Sequence, residues 1–287
     1  MCLGVTKLLC VASDTLNRGK SVTITPMATD PNTIRHYNAN AEQYNQHVSD
    51  PSDSIFHSQY EKPAIRAELP NLAGLEVISI GCGSGVDARW LADNGASKVV
   101  GVDISSGLLD IAKDNHPDIE FHEMDMEKLD FPDESFDLAY SSLAIHYVDD
   151  WTQPLKEARR ILRPNGLYVF SCGHPIDTAV EYTTDNKFKY AQLGRKVELE
   201  TKKRTTFGDY LVTQDGGVKP IKGNLGDIEV VVYHRTFSKM IEQIHAAGFT
   251  IQKVVEPQPT DEMRKTNPEM FEQLSRIPTF MIWVLKK

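Results

Sequence analysis

Between Leu75 and Cys172 the chain alternates short apolar runs with amphipathic stretches of helical period, and this alternation organises the whole sequence. Leu75–Ile80, Lys98–Val102, Ile119–Glu123, Phe136–Leu143 and Leu167–Cys172 read as strands. Gly85–Asn94, Ser105–Asn115 and Asp150–Leu162 read as helices, the last leaving through a Pro164-Asn165-Gly166 turn. Strands separated by helices of this length predict a parallel sheet with right-handed crossovers. Upstream, Ile34, Tyr37, Ala41 and Tyr44 form one helical stripe within Thr33–His47, and a second helical pattern covers Ser58–Leu69. Downstream, Gly173–Ile228 shows no sustained period beyond short extended pieces such as Tyr210–Thr213. Regularity returns with a strand at Val230–His234, a helix at Thr236–Ala247 and a strand at Phe249–Val255. A polar helical stretch near Pro268–Ser275 then leads to a last strand, Thr279–Leu285.

The expected organisation is therefore an α/β, doubly wound, mostly parallel sheet over 71–175 and 228–287. Residues 29–70 would be an N-terminal helical segment and 176–227 a cap inserted over one face. Residues 1–28 read as a disordered leader, with the working protein starting near Met27.

Composition narrows the partners. The chain has 287 residues, 40% hydrophobic and 25% charged, ordinary for a globular protein. Its formal net charge of −9 argues against nucleic acid as substrate. One basic cluster, Arg195-Lys196 with Lys202-Lys203-Arg204, is broken by Glu198 and Glu200 and reads as a solvated surface. No apolar run is long enough to span a membrane. Cys2, Cys10, Cys82 and Cys172 form no paired or metal-ligand spacing, which implies a reduced, cytoplasmic protein with no metal centre. The oligomeric state stays open.

The chemistry concentrates at strand ends. Ile78-Ser79-Ile80 runs into Gly81-Cys82-Gly83-Ser84-Gly85 and then a helix, a turn whose glycines let a ligand approach the backbone. Asp103, about 20 residues further on, ends the next strand, where an acid can accept both hydroxyls of a ribose; capping the following helix is the alternative. Nicotinamide folds prefer G-x-G-x-x-G, but Val86 occupies the third glycine's place here. A second acid, Asp125, follows the third strand between Met124 and Met126.

These motifs, with Gly101-Val102-Asp103-Ile104-Ser105, Phe136-Asp137-Leu138 and Leu162-Arg163-Pro164-Asn165-Gly166, resemble the small-molecule branch of class I S-adenosyl-L-methionine-dependent methyltransferases. The likeness runs from Val77 to about Gly173 and is to the type 11 enzymes of ubiquinone, menaquinone and biotin-precursor biosynthesis. It implies a Rossmann-like sheet of seven strands, the last antiparallel. By position, Gly81, Gly83 and Gly85 would border the methionine end of the cofactor. Asp103, with Ile104 beside it, would hold the ribose. Asp125 would bond the adenine amine and Met126 pack on the ring. Ser141 would approach the methionine amine through its backbone, and the helix bearing Tyr37 and Tyr44 would close over the site as a lid. Ser79 departs from the pattern, because relatives often carry an acid there.

For the acceptor side, His146, His174 and His234 are the candidate bases, each with a structural hydrogen bond as the alternative. Arg235 would bind an acceptor carboxylate or pair with an acid. No Asn/Asp-Pro-Pro-Tyr segment and no Pro-Cys nucleophile follow the fourth strand, which disfavours adenine, glutamine-amide and cytosine acceptors. A small-molecule acceptor is the expectation. A cofactor-binding protein without catalysis, an NAD(P)-dependent oxidoreductase, and a protein or RNA acceptor are the rivals.

Overall fold

The structure, a computed structural model, describes residues 29–185, 187–212, 216–225 and 228–287. The leader expected over 1–28 lies outside them. Asp30 caps the first helix, α1 (Pro31–Ala39), by accepting the Asn32 and Thr33 amides. The helix expected to continue to His47 breaks at Asn40, and α2 (Ala41–Ser49) follows. Asn40 turns both its backbone N–H and its side-chain amide onto the His36 carbonyl, a local bond that competes with helix continuation.

A π-helical turn, His57–Glu61, then leads into α3 (Lys62–Ala67). Pro63 has no N–H to offer the Gln59 carbonyl, and that oxygen accepts the Thr260 amide instead, 3.0 Å away. The expected single helix over 58–69 is thus interrupted by a long-range contact.

The central elements follow in order: β1 (Glu76–Ile80), α4 (Val86–Asp93), β2 (Lys98–Asp103), α5 (Ser106–Asn115), β3 (Glu120–Glu123), β4 (Phe136–Ser141), a short 3-10 turn at Ile145–Tyr147, α6 (Thr152–Ile161) and β5 (Leu162–Gly173). Pro164-Asn165-Gly166 does not end a helix in a free turn. It lies inside β5 as a bulge, where pairing with β4 slips from Phe136–Leu162 to Leu138–Leu167 and Asn165 takes a φ of +66°.

The segment expected to be irregular is built of hairpins after the short helix α7 (Pro175–Thr178). β6 (Glu181–Thr184) pairs with β7 (Lys189–Gln192), and β8 (Gly194–Val197) with β9 (Arg204–Phe207). β10 (Val218–Leu225) pairs with β11 (Ile228–Arg235), so paired strands lie on either side of the boundary expected at 227/228. Tyr210 and Leu211 bend rather than extend, and Thr213 is outside the described residues. The chain finishes with α8 (Phe237–Ala246), β12 (Thr250–Val255), α9 (Asp261–Thr266), α10 (Pro268–Leu274) and β13 (Phe280–Lys286). The sequence pattern missed α9.

Seven strands form one sheet in the order β12-β13-β5-β4-β1-β2-β3, parallel except for β13, which runs antiparallel to both neighbours. Successive residues of β1 and β4 point to opposite faces. Val77, Leu138 and Tyr140 meet Leu91 and Leu109 on one side; Ile78 and Ala139 meet Leu155, Ile161 and Ile244 on the other. Burial on both faces explains why these strands read as continuous apolar runs. The chain leaves β1 toward β2 on one side and reaches β4 on the other, which opens a crevice at the carboxyl ends of the strands. No helix among the described residues is long and apolar enough to cross a membrane.

Candidate functional site

That crevice holds a cavity of about 740 Å³, its mouth included, a size suited to a small ligand. Its floor crosses the strand tips in spatial order. Met124, Asp125 and Met126 lie at β3, Asp103 and Ile104 at β2, Gly81 and Gly83 at β1, and Ser142, Leu143 and Ala144 at β4. Three strand spacings amount to about 14 Å, so the floor fits an elongated ligand lying across the sheet.

The glycine loop is shaped by close approaches. Gly81 has φ +69°, and a Cβ there would sit 2.3 Å from the Ala144 Cβ, closing the floor between β1 and β4. Gly83 donates its N–H to Asp103 Oδ2 at 2.7 Å, and Ser105 donates to Asp103 Oδ1 at 2.9 Å. Burial pushes the Asp103 pKa up, against the pull of these amides. Ser105, not Asp103, caps α5 by accepting the Leu108 amide. Asp103 therefore keeps lone pairs on both oxygens for a ligand.

Gly85 serves a different purpose. It starts α4 at φ +84°, and a Cβ would press within 2.9 Å of His116 and Phe121. It packs α4 against α5 and β3 and does not line the cavity. Ser141 is buried within the sheet, and its neighbour Ser142 reaches the cavity instead.

The roof comes from the N-terminal helices. Thr29, Thr33, Ile34, Tyr37 and Tyr44 line the cavity from above. The Tyr37 and Tyr147 hydroxyls lie 2.6 Å apart, and Tyr37 meets Tyr44 edge-on at 5.2 Å. Burial raises all three phenols, Tyr147 to about 12, so they stay neutral. α1 is strapped down at both ends. Asn38 accepts the Ser105 hydroxyl and the Gly107 amide, while Thr33 Oγ1 and His36 Nδ1 accept the Val231 and Glu229 amides of β11.

The three histidines are not part of the wall. His234 is 1% exposed and fully engaged, with Nδ1 2.7 Å from the Thr178 hydroxyl and Nε2 2.9 Å from the Tyr210 carbonyl. It clasps the inserted segment to β11. His174 caps α7 through Nδ1 and meets Glu256 at 3.2 Å through Nε2. His146 lies between the cavity residues Ala144 and Tyr147, its ring 4.5 Å from that of Tyr147. Its Nδ1 is buried with no hydrogen-bond partner among the described residues. Burial, helped by the charge of Arg235, lowers its pKa to about 3 and keeps the ring neutral. Arg235 reaches no acid; it donates to the Val148 and Asp149 carbonyls and to Gln243.

One residue had no motif to announce it. Glu61 is fully buried in the π-helical turn, a kind of turn often found at functional sites. Its Oε1 accepts the hydroxyls of Ser171 at 2.5 Å and Ser142 at 3.0 Å, and Ser171 in turn accepts the Leu143 amide. Leu143, in the cavity wall, is held at φ +51°. Burial, then the nearby Asp87, raises the Glu61 pKa from its ordinary 4.5 to about 7.

Across that window the folded state keeps a proton that the unfolded chain has lost, so Glu61 subtracts stability as pH climbs from 4.5 to 7. Glu61→Gln should therefore be more stable than wild type at pH 8, by on the order of 3 kcal/mol, and melt at a higher temperature. The gain should shrink toward zero at pH 5. Thermal melts of both proteins at the two pH values check this, and a gain equal at both would exclude a buried acid.

The cavity wall suits the ligand that the motifs imply. Among the described residues it carries two carboxylates, Asp103 and Asp125, and no lysine, arginine or histidine. A sulfonium ligand without phosphates is accommodated there, whereas a dinucleotide would bring its diphosphate against like charge.

Comparison with known proteins agrees with this geometry. A methyltransferase domain family model matches residues 78–170. The crystal structure of an S-adenosylmethionine-dependent methyltransferase from Mesorhizobium loti superposes with a TM-score of 0.64 at 36% identity, covering 79% of this chain and 97% of that one. An uncharacterized Haemophilus influenzae protein is 29% identical over 235 residues, 79% of this chain and 87% of that protein. The malonyl-[acyl-carrier protein] O-methyltransferase of Pectobacterium atrosepticum is 34% identical over 105 residues, 37% of this chain and 41% of that enzyme.

Proposed function

Since the chain belongs to the S-adenosylmethionine-dependent methyltransferases, we propose that it moves a methyl group from this cofactor to a small-molecule acceptor. The observation that carries the acceptor class is the cavity itself: roofed by α1 and α2, acidic in its wall, and set in a chain of net charge −9. A nucleic acid would meet no lysine or arginine among the described residues that line this cavity.

Bound S-adenosylmethionine supplies an electrophilic methyl group on a sulfonium sulfur. Asp103 accepts the two ribose hydroxyls with the lone pairs its amide partners leave free. Asp125 accepts from the adenine amine, and Met124 and Met126 pack against the base. Tyr37, Tyr44 and Tyr147 cover the site and keep water from the reacting centre, while Gly81 lets the methionine end lie flat on the backbone. Alignment of acceptor and methyl group then supplies much of the rate.

His146 is the acceptor-side candidate in this reading, because it is flanked by the cavity residues Ala144 and Tyr147 and its Nδ1 has no hydrogen-bond partner among the described residues. His174 and His234 serve the fold. The protein should be incubated with methyl-labelled S-adenosylmethionine and a cell extract that is then separated by size. Label in the small-molecule fraction is expected; label confined to protein or RNA would sink the acceptor class. With the labelled acceptor in hand, His146→Ala should slow turnover about a hundredfold, the lower range for loss of a general base, with cofactor affinity retained. Unchanged turnover would remove His146 from the chemistry.

A further inference from the structure

Which end of the cavity takes which part of the ligand follows from the strand order. The ribose acid stands at β2, so the base lies toward β3 and the amino-acid arm toward Gly81 and the β4 tip, where Ser142 lines the wall. That arm carries an ammonium group, and among the described residues no side chain lining this end of the cavity is ionic. Behind Ser142 lies Glu61. We propose that Glu61, acting through Ser142, positions the ammonium of the S-adenosylmethionine amino-acid arm.

Three observations carry this. First, the Ser142 hydroxyl hydrogen is committed to Glu61 Oε1 at 3.0 Å. A hydroxyl has one hydrogen and two lone pairs, so Ser142 faces the cavity as an acceptor, which suits an N–H donor and repels a carboxylate. Second, Glu61 Oε2 is buried with no hydrogen-bond partner among the described residues. A buried carboxylate in that state lacks its counter-charge. The neighbouring cations offset this only in part: Arg66 meets Asp87 at 2.8 Å and Lys62 meets Asp87 at 3.6 Å, and the pull of Lys62 on Glu61 is outweighed by burial and by the like charge of Asp87. The other ionisable groups that face Glu61, Tyr44 of α2 and Tyr140 of β4, are neutral phenols. Third, the same carboxylate holds Ser171, which holds the Leu143 amide, so one acid sets both the polarity and the backbone of the β4 tip.

The proposal rests on the cofactor reading of the cavity and is tested by binding alone. Calorimetry would compare wild type, Glu61→Gln and Ser142→Ala with three probes. These are S-adenosylhomocysteine, its decarboxylated analogue, which keeps the amine, and methylthioadenosine, which lacks the whole arm. Glu61→Gln should lose at least tenfold in affinity for both amine-bearing probes and stay level with wild type for methylthioadenosine. Ser142→Ala, which leaves the Ser171 contact in place, should show the same selectivity with a smaller loss. An equal loss for all three probes would make Glu61 a purely structural residue and overturn the proposal, as would no loss for any. Failure of wild type to bind S-adenosylhomocysteine would remove the cofactor reading and this proposal with it. That result is distinct from a wild type that binds and a variant that is indifferent.

Discussion

Asp103→Ala will weaken S-adenosylmethionine binding about a thousandfold. The estimate comes from two hydrogen bonds to a charged group at about 2 kcal/mol each, where every 1.4 kcal/mol is about tenfold. Asp103 suits this test because its two oxygens are each held by one backbone amide, at 2.7 and 2.9 Å, and each has capacity left. The helix-cap reading would have spent that capacity on α5, but Ser105 caps α5. Asp103→Asn keeps the shape and one acceptor, so its loss should fall between wild type and alanine. Titration calorimetry with S-adenosylmethionine on all three proteins decides the matter. An alanine variant that binds within a few-fold of wild type would mean that Asp103 merely anchors the glycine loop to the α5 turn. NADH should fail to bind the wild type, since the described residues lining the cavity include two acids and no cation to meet a diphosphate.

How far such residues could be read from sequence depended on where their partners lie. The loop from Ile80 to Gly85 and the tip at Asp103 were legible because β1 and β2 are buried on both faces and end in residues whose chemistry is local. Gly85 carried the same motif yet belongs to packing, since the contacts that require a glycine there come from His116 and Phe121. The strands β6 to β9 were invisible for the opposite reason. They are exposed or half-buried along their length, so no alternation marks an inner face. Glu61 was missed because its meaning lies in Ser142 and Ser171, 81 and 110 residues away. Ser79, noted as a departure for lacking an acid, pairs in register with Tyr140, two residues before Ser142. By register and strand alternation Ser79 shares a sheet face with Tyr140, Val169 and Ser171, the last bonded to Glu61. The role proposed for Glu61 would place an acid from the N-terminal segment where β1 carries none, which no local pattern could reveal.

Arg235→Ala should destabilise the protein by about 3–5 kcal/mol, the scale of losing at least two buried hydrogen bonds from a charged group at roughly 1.5–3 kcal/mol each. The guanidinium is 1% exposed and lies 4.7 Å above the Trp151 ring. Nη2 donates to the Val148 carbonyl and, at 2.7 Å, to that of Asp149, while Nε donates to Gln243 Oε1 at 3.0 Å. Gln243 bonds onward to Asp150, and Trp151 to the Ile145 carbonyl. Burial lowers the Arg235 pKa to about 10, which still leaves it charged at neutral pH. One side chain therefore ties β11 and α8 to the segment 145–150, whose turn carries His146 and presents Tyr147 to the cavity. Truncation leaves two carbonyls unpaired and a void beside Trp151. Arg235→Lys should recover only part of the loss, because a single ammonium cannot span acceptors arranged for a planar fork. Urea unfolding midpoints of the three proteins measure the effect. A loss below about 1 kcal/mol for alanine, the scale of an exposed pair, would mean the guanidinium is not structural and would return it to the acceptor side. If the larger loss is found, cofactor affinity should fall as well in variants that remain folded. The hydroxyl contact between Tyr37 and Tyr147 closes the roof only while the segment behind Tyr147 is held.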